Sequence, residues 1–133
     1  MLKKKVDVRT YSDVNMAQDC IFCKIVAGEL PCDKVFEDDE FIVFKDINPQ
    51  AEVHLLAVPK KHIVSLAEVD EEDYGLLGRM IGRSKSFAKQ MGSVDGFRTV
   101  INTGKIGRQD VFHLHVHVLG GSEPLPAMIY KRH

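Results

Sequence analysis

The sequence predicts an α+β domain of five strands and two helices, and three observations lead that reading. The run Phe112-His113-Leu114-His115-Val116-His117-Val118-Leu119 alternates apolar side chains with imidazoles, the period of a strand with two unlike faces. Val35-Phe36-Glu37 and Phe41-Ile42-Val43-Phe44 flank the acidic turn Asp38-Asp39-Glu40, the pattern of two strands joined in a tight hairpin. Between Asp70 and Met91 the apolar positions recur instead at helical spacing.

Composition bounds the possibilities. A chain of 133 residues is the size of one ordinary domain, able to bury about 65–70% of its unfolded surface around one core. With 44% apolar residues, 28% charged residues and a net charge of -1, it reads as a soluble globular protein and not as a generic polyanion binder. Nucleic acid is therefore not an expected partner, whereas a single nucleotide in a local pocket is compatible. No apolar run approaches the ~18 residues that span a bilayer. Met1-Leu2-Lys3-Lys4-Lys5 leads into Val6-Asp7-Val8-Arg9 without an apolar signal core, so no membrane partner and a cytoplasmic location are expected. Cys20, Cys23 and Cys32, an odd number near one end, fit reduced thiols or a metal site better than a disulfide framework.

Residues 1–17 mix charged and polar residues without a sustained period and read as an N-terminal arm; 18–133 form the domain. Asp19 is a plausible N-cap for a short helix with Ile21, Phe22, Ile25 and Val26 on one stripe, ended by Gly28. After the hairpin, Asp46-Ile47-Asn48-Pro49 makes a turn, because the residue before proline is pushed out of the helical region. A third strand runs from Val53 to Val58 and stops at Pro59, and Lys60-Lys61-His62 reads as a solvated basic turn.

The strongest helix spans Asp70 to Met91, with Glu71, Glu72 and Asp73 at its start and Lys85 and Lys89 near its end, an order that complements the helix dipole. Its core stripe is Tyr74, Leu77, Met80 or Ile81, Ser84, Phe87 and Met91. Gly75, Gly78 and Gly82, each costing about 1 kcal/mol relative to alanine, make a smooth strip suited to packing against another subunit. Phe97 to Ile101 is the fourth strand. Asn102 to Asp110, with Gly104 and Gly107, is a loop feeding the fifth, and Pro124 and Pro126 exclude regular structure from the tail.

The fifth strand carries the chemistry. Alternate residues stand ~6.6 Å apart on one face, so His113, His115 and His117 can surround one small anion or share a metal, while Leu114, Val116 and Val118 face the core. A free imidazole, with a pKa of ~6.5, is largely neutral at pH 7 and able to attack phosphorus. His115 has a partner on each side and is the candidate nucleophile; His113 and His117 would position it and donate to phosphoryl oxygens.

This strand, with Cys20-Ile21-Phe22-Cys23-Lys24-Ile25, Gly28-Glu29-Leu30-Pro31, Phe44-Lys45-Asp46-Ile47-Asn48-Pro49-Gln50-Ala51, Val58-Pro59-Lys60-Lys61-His62-Ile63 and Gly120-Gly121, resembles the histidine triad (HIT) family in its Hint-like branch, over about residues 19–122. The resemblance implies a homodimeric α+β fold with a five-stranded antiparallel sheet in each subunit, continuous across the dimer, and hydrolysis of purine nucleoside phosphoramidates or related nucleotidyl conjugates through a nucleotidyl-histidine intermediate on His115. It places Asp46 on the ribose hydroxyls, Leu30, Phe44 and Ile47 around the base, and Asn102, Gln109, Val111 and His117 around the phosphate. By the same likeness Cys20 and Cys23 would hold a structural zinc with His54 and His113. Two alternatives stand beside it: a dinucleoside polyphosphate hydrolase of the Fhit type, and a zinc-stabilised dimer that binds nucleotides without turning them over. The chain departs from the family where Gly-Gln-Ser usually precedes the triad strand, having Arg108-Gln109-Asp110. A carboxylate there should repel a phosphate unless it is protonated, turned away or paired. Ser122-Glu123-Pro124-Leu125-Pro126 also lacks the tryptophan often found in eukaryotic Hint tails.

Overall fold

A computed structural model describes residues 20–129; the N-terminal arm and the Asp19 cap lie outside them. Helix α1 (Ile21–Val26) opens on Cys20, whose sulfur accepts the Cys23 N–H at 3.2 Å, and ends as expected at Gly28, with φ of +81°. Strands β1 (Lys34–Glu37) and β2 (Phe41–Lys45) form the hairpin. Asp38 Oδ1 closes its turn by accepting the N–H groups of Glu40 (2.8 Å) and Phe41 (3.0 Å), the usual reason for aspartate at such a corner.

Strand β3 (Val53–Pro59) is buried along its whole length, and with β4 (Arg98–Val100) and β5 (Val116–Gly120) completes a sheet of order β1-β2-β3-β5-β4, antiparallel throughout. One face of the sheet, with Phe41, Val43, Leu55, Ala57, Val116 and Val118, packs against Met80, Phe87 and Ala88 of the helical segment. The opposite face, with Ile42, Phe44, Leu56 and Val58, packs against Cys20 and Phe22. β2 and β3 are covered on both sides, which is why they read as continuous apolar runs.

The single helix expected over Asp70–Met91 is instead three pieces: a 3₁₀ turn at Glu71–Asp73, α2 (Tyr74–Gly82) and α3 (Ser84–Gln90). The break falls between Gly82, a weak helix former, and Ser84, whose hydroxyl donates to the Ile81 carbonyl at 2.6 Å and so competes for a helix acceptor. Asp70 and Asp73 form a reciprocal capping box at the start. The buried stripe includes Leu76, Met80, Ser84 and Phe87, while Tyr74 and Ile81 lie on the exposed side with open space over Gly78 and Gly82.

Regular pairing of the fifth strand begins only at Val116, because Phe112 to His115 run beside the segment after β3, where the Leu114 N–H donates to the Ile63 carbonyl at 2.7 Å. The alternation holds nonetheless: Leu114, Val116 and Val118 are sealed in the core. In the preceding loop Arg108 adopts φ of +60°, a left-handed conformation that costs a non-glycine residue ~1–2 kcal/mol. Since glycine gives back ~0.4–1 kcal/mol of that through a freer unfolded chain, Arg108→Gly should raise stability by about 0.5–1 kcal/mol, measured by denaturant unfolding at unchanged m-value.

Candidate active site

Helix α1 lies over the sheet face that carries the imidazoles, leaving beside it a cavity of about 320 Å³ lined by Ile21, Phe22, Ile25, Leu30, Phe44, Asp46, Ile47, Asp110, Val111, His115 and His117 among others. His115 forms part of its wall. The His115 Nδ1–H donates to the His113 carbonyl at 2.8 Å, and a carbonyl only accepts, so in the neutral ring the proton resides on Nδ1 and Nε2 keeps its lone pair. Phe22 meets the ring edge to face at 5.1 Å, and Asp110 Oδ1 lies 3.5 Å from Nε2. The carboxylate that the sequence leaves unpaired is thus set against the central histidine.

His117 is fixed by a relay. The Gln50 N–H donates to His54 Nδ1 at 2.9 Å, so the His54 proton is on Nε2, which donates to His117 Nδ1 at 2.9 Å. The remaining nitrogen of His117, Nε2, therefore carries its proton; it is buried and has no partner among the described residues. Burial first, then the neighbouring His115 and His54, holds the His117 imidazole down at about 4, so it serves as a neutral N–H donor. Asp46 Oδ2 approaches His54 Nε2 at 3.4 Å while Oδ1 accepts the Asn48 N–H at 2.8 Å, giving this aspartate its turn role at the cavity edge.

His113 stands apart from its two neighbours, and the expectation that all three rings share one pocket is corrected. Its Nε2–H donates to the Pro59 carbonyl at 2.7 Å, and Nδ1 faces Cys20 Sγ at 3.1 Å. Cys23 Sγ is 3.1 Å from His62 Nδ1, and the ligand atoms of Cys20, Cys23, His62 and His113 lie within 4.8 Å of one another. His62, not His54, completes the cysteine–histidine cluster. The reason is register: His54 pairs with Leu119 at the far end of β3, about 16 Å of strand from Pro59, whereas His62 follows Pro59 and returns alongside His113. Lys61 likewise is not a free basic turn, since it pairs with Glu72 and Asp73 at 2.9 Å each.

Two sulfurs and two imidazole nitrogens at these separations suit a tetrahedral zinc site, with the His113 tautomer leaving a lone pair turned inward. Burial and the adjacent Cys20 push the Cys23 thiol up to about 12, so ionising it at neutral pH calls for a cation's field.

Of the other expected ligands, Leu30, Phe44, Ile47 and Val111 line the cavity, but Asn102 and Gln109 do not. Gln109 is buried, donating to the carbonyls of Val64 (2.8 Å) and Val111 (2.9 Å) and accepting the Gly104 N–H (2.9 Å), so its amide is spent on holding the loop. Gln109→Ala should cost ~2–3 kcal/mol of folding stability by stranding these backbone groups, read as a lower denaturation midpoint. His113 and His117 are both depressed to about 4, chiefly by burial, below the ordinary 6.5. The unfolded chain therefore binds more protons between those values, and stability should fall as pH drops from about 6.5 towards 4, which midpoints at pH 7 and pH 5 would compare.

Fold and site together define an α+β protein with a cavity walled by His115 and His117 on one face of a five-stranded antiparallel sheet. A family model described as "Scavenger mRNA decapping enzyme C-term binding" matches residues 19–133. Protein HitA of Neisseria gonorrhoeae is 54% identical over 102 residues, covering 77% of this chain and 95% of its own length. Among solved structures, a HIT family hydrolase from Legionella pneumophila Philadelphia 1 is 46% identical with a TM-score of 0.74, covering 78% of this chain and 94% of that one. A Zn-bound histidine triad family protein from Mycobacterium smegmatis is 34% identical with a TM-score of 0.70, covering 79% and 76%. The chain belongs to the histidine triad (HIT) family. No helix among the described residues is long and apolar enough to cross a membrane.

Proposed function

We propose that this protein hydrolyses purine nucleoside phosphoramidates or related nucleotidyl conjugates through a covalent intermediate on His115. The observation that carries the reading is the His113 carbonyl holding the Nδ1–H of His115, which leaves the Nε2 lone pair at the cavity wall. The base would sit among Leu30, Phe44 and Ile47, with Asp46 accepting from ribose hydroxyls. His115 Nε2 attacks the α-phosphorus as the P–N bond breaks, and the amine leaves with a proton taken from water at the cavity mouth, which the proton released by the hydrolytic water in the second step makes good. His117 Nε2–H, buried and unpartnered, donates to a phosphoryl oxygen as charge builds there. Water then attacks the nucleotidyl-histidine and restores the ring. Asp110 beside the nucleophile weighs against a leaving group that is itself a polyphosphate, and so against the dinucleoside polyphosphate reading.

Zinc held by Cys20, Cys23, His62 and His113 would supply a structural cross-link between α1 and the segment entering β5; the zinc-bound relative supports this. A homodimer is part of the same reading, with the exposed face of α2 around Tyr74, Gly78 and Ile81 available for it. The protein's reduced cysteines suit a cytoplasmic location. The test is turnover of adenosine 5′-phosphoramidate beside diadenosine polyphosphate: release of AMP from the first at a clearly higher kcat/KM supports the proposal, and preference for the second overturns it.

A further inference from the structure

Asp110 occupies the mouth of the cavity, its side chain 75% exposed and its Oδ1 3.5 Å from the His115 nitrogen assigned to attack. A phosphoryl group seated against that nitrogen has its leaving group beyond phosphorus, and with Asp110 only 3.5 Å from the nitrogen the phosphoryl group and the group leaving it both come within several ångströms of the carboxylate. The charges lining the cavity are Asp46, Asp110 and Lys45. Lys45 lies 3.5 Å from Asp33 and Asp46 is turned to His54 and Asn48, so neither offsets Asp110.

Resting on the reading in which His115 attacks phosphorus, we propose that Asp110 determines leaving-group specificity, favouring conjugates whose departing amine carries a further positive charge and disfavouring those whose departing portion is anionic. A unit charge about 6 Å from the carboxylate, at the dielectric of a wet pocket mouth, changes the rate by roughly five- to tenfold in either direction relative to a neutral group. The nucleotide portion is common to all substrates and feels the same repulsion, so the effect shows in ratios between leaving groups, not in the absolute rate.

The experiment compares kcat/KM for adenosine 5′-phosphoramidates of three matched alkylamines ending in an ammonium, a hydroxyl or a carboxylate, using the wild type, Asp110→Asn and Asp110→Glu. The wild type should rank ammonium over hydroxyl over carboxylate by about five- to tenfold per step, with the spread shrinking at 1 M salt, where the Debye length is about 3 Å. Asp110→Asn should compress the three to within about twofold, and Asp110→Glu should keep the order. A flat wild-type series, or an order that Asp110→Asn retains, overturns this inference while leaving the hydrolase reading in place. Failure of the wild type to turn over any of the three overturns both.

Discussion

His115→Ala is expected to lower turnover by about four orders of magnitude or more while leaving the fold and nucleotide binding in place, in keeping with the loss seen when a covalent nucleophile is removed. The size of the effect follows from the tautomers. His117 Nδ1 accepts from His54 and its Nε2 carries the proton, so this ring offers no lone pair to phosphorus. His113 donates through Nε2 to Pro59 and turns Nδ1 towards Cys20, outside the cavity lining. Of the three triad imidazoles, only His115 presents a bare nitrogen to the pocket. The fold should survive because alanine at 115 removes one hydrogen bond and one ring contact with Phe22, a loss of about 1–3 kcal/mol. The cavity wall around Leu30, Phe44 and Asp46, where the base would sit, is untouched. Single-turnover kinetics, circular dichroism and equilibrium nucleotide binding separate these outcomes.

Removing metal, or replacing Cys20 by serine, should have the largest effect on stability. Helix α1 has six residues, far below the ~12–15 at which an isolated helix becomes even marginal in water, so it depends on what holds it to the sheet. Its attachment includes Phe22 packed on Phe44 and the rings of His113 and His115, the apolar contacts of Ile25 and Val26 with the same cluster, and the two cysteines facing His62 and His113. Loss of a bound zinc should therefore cost several kcal/mol and loosen Ile21, Phe22 and Ile25, which wall the cavity. The expected result is one zinc per chain, with chelation lowering both the unfolding midpoint and nucleotide affinity. Metal-free protein with an unchanged midpoint would contradict the cross-link.

The sequence displays the faces of this molecule more readily than its depths. The hairpin was legible because Asp38 and its flanking apolar runs act locally, and the imidazole face because a period of two is a property of the backbone. Equal spacing placed the three histidines around one pocket, yet they end in three environments: a thiol cluster for His113, the pocket for His115 and a relay for His117. What separates them is the strand register and the turn after Pro59, and both are long-range. The same register puts His54 against His117, and His62, read from the sequence as part of a basic turn, against the cysteines. The break at Gly82–Ser84 had a local sign, since glycine and serine stand on either side of Arg83, but the strong apolar period around them concealed it. The left-handed backbone at Arg108 becomes visible only in the loop's conformation.

The central claim is that His115 Nε2 becomes covalently bound to phosphorus. Mixing the protein with a slowly turned-over adenosine phosphoramidate, quenching in neutral denaturant and measuring intact mass with peptide mapping tests it directly. A transient gain of one adenylyl group is expected, located on His115 and absent from His115→Ala. Turnover with no adduct at any time point, or an adduct on another residue, would contradict it.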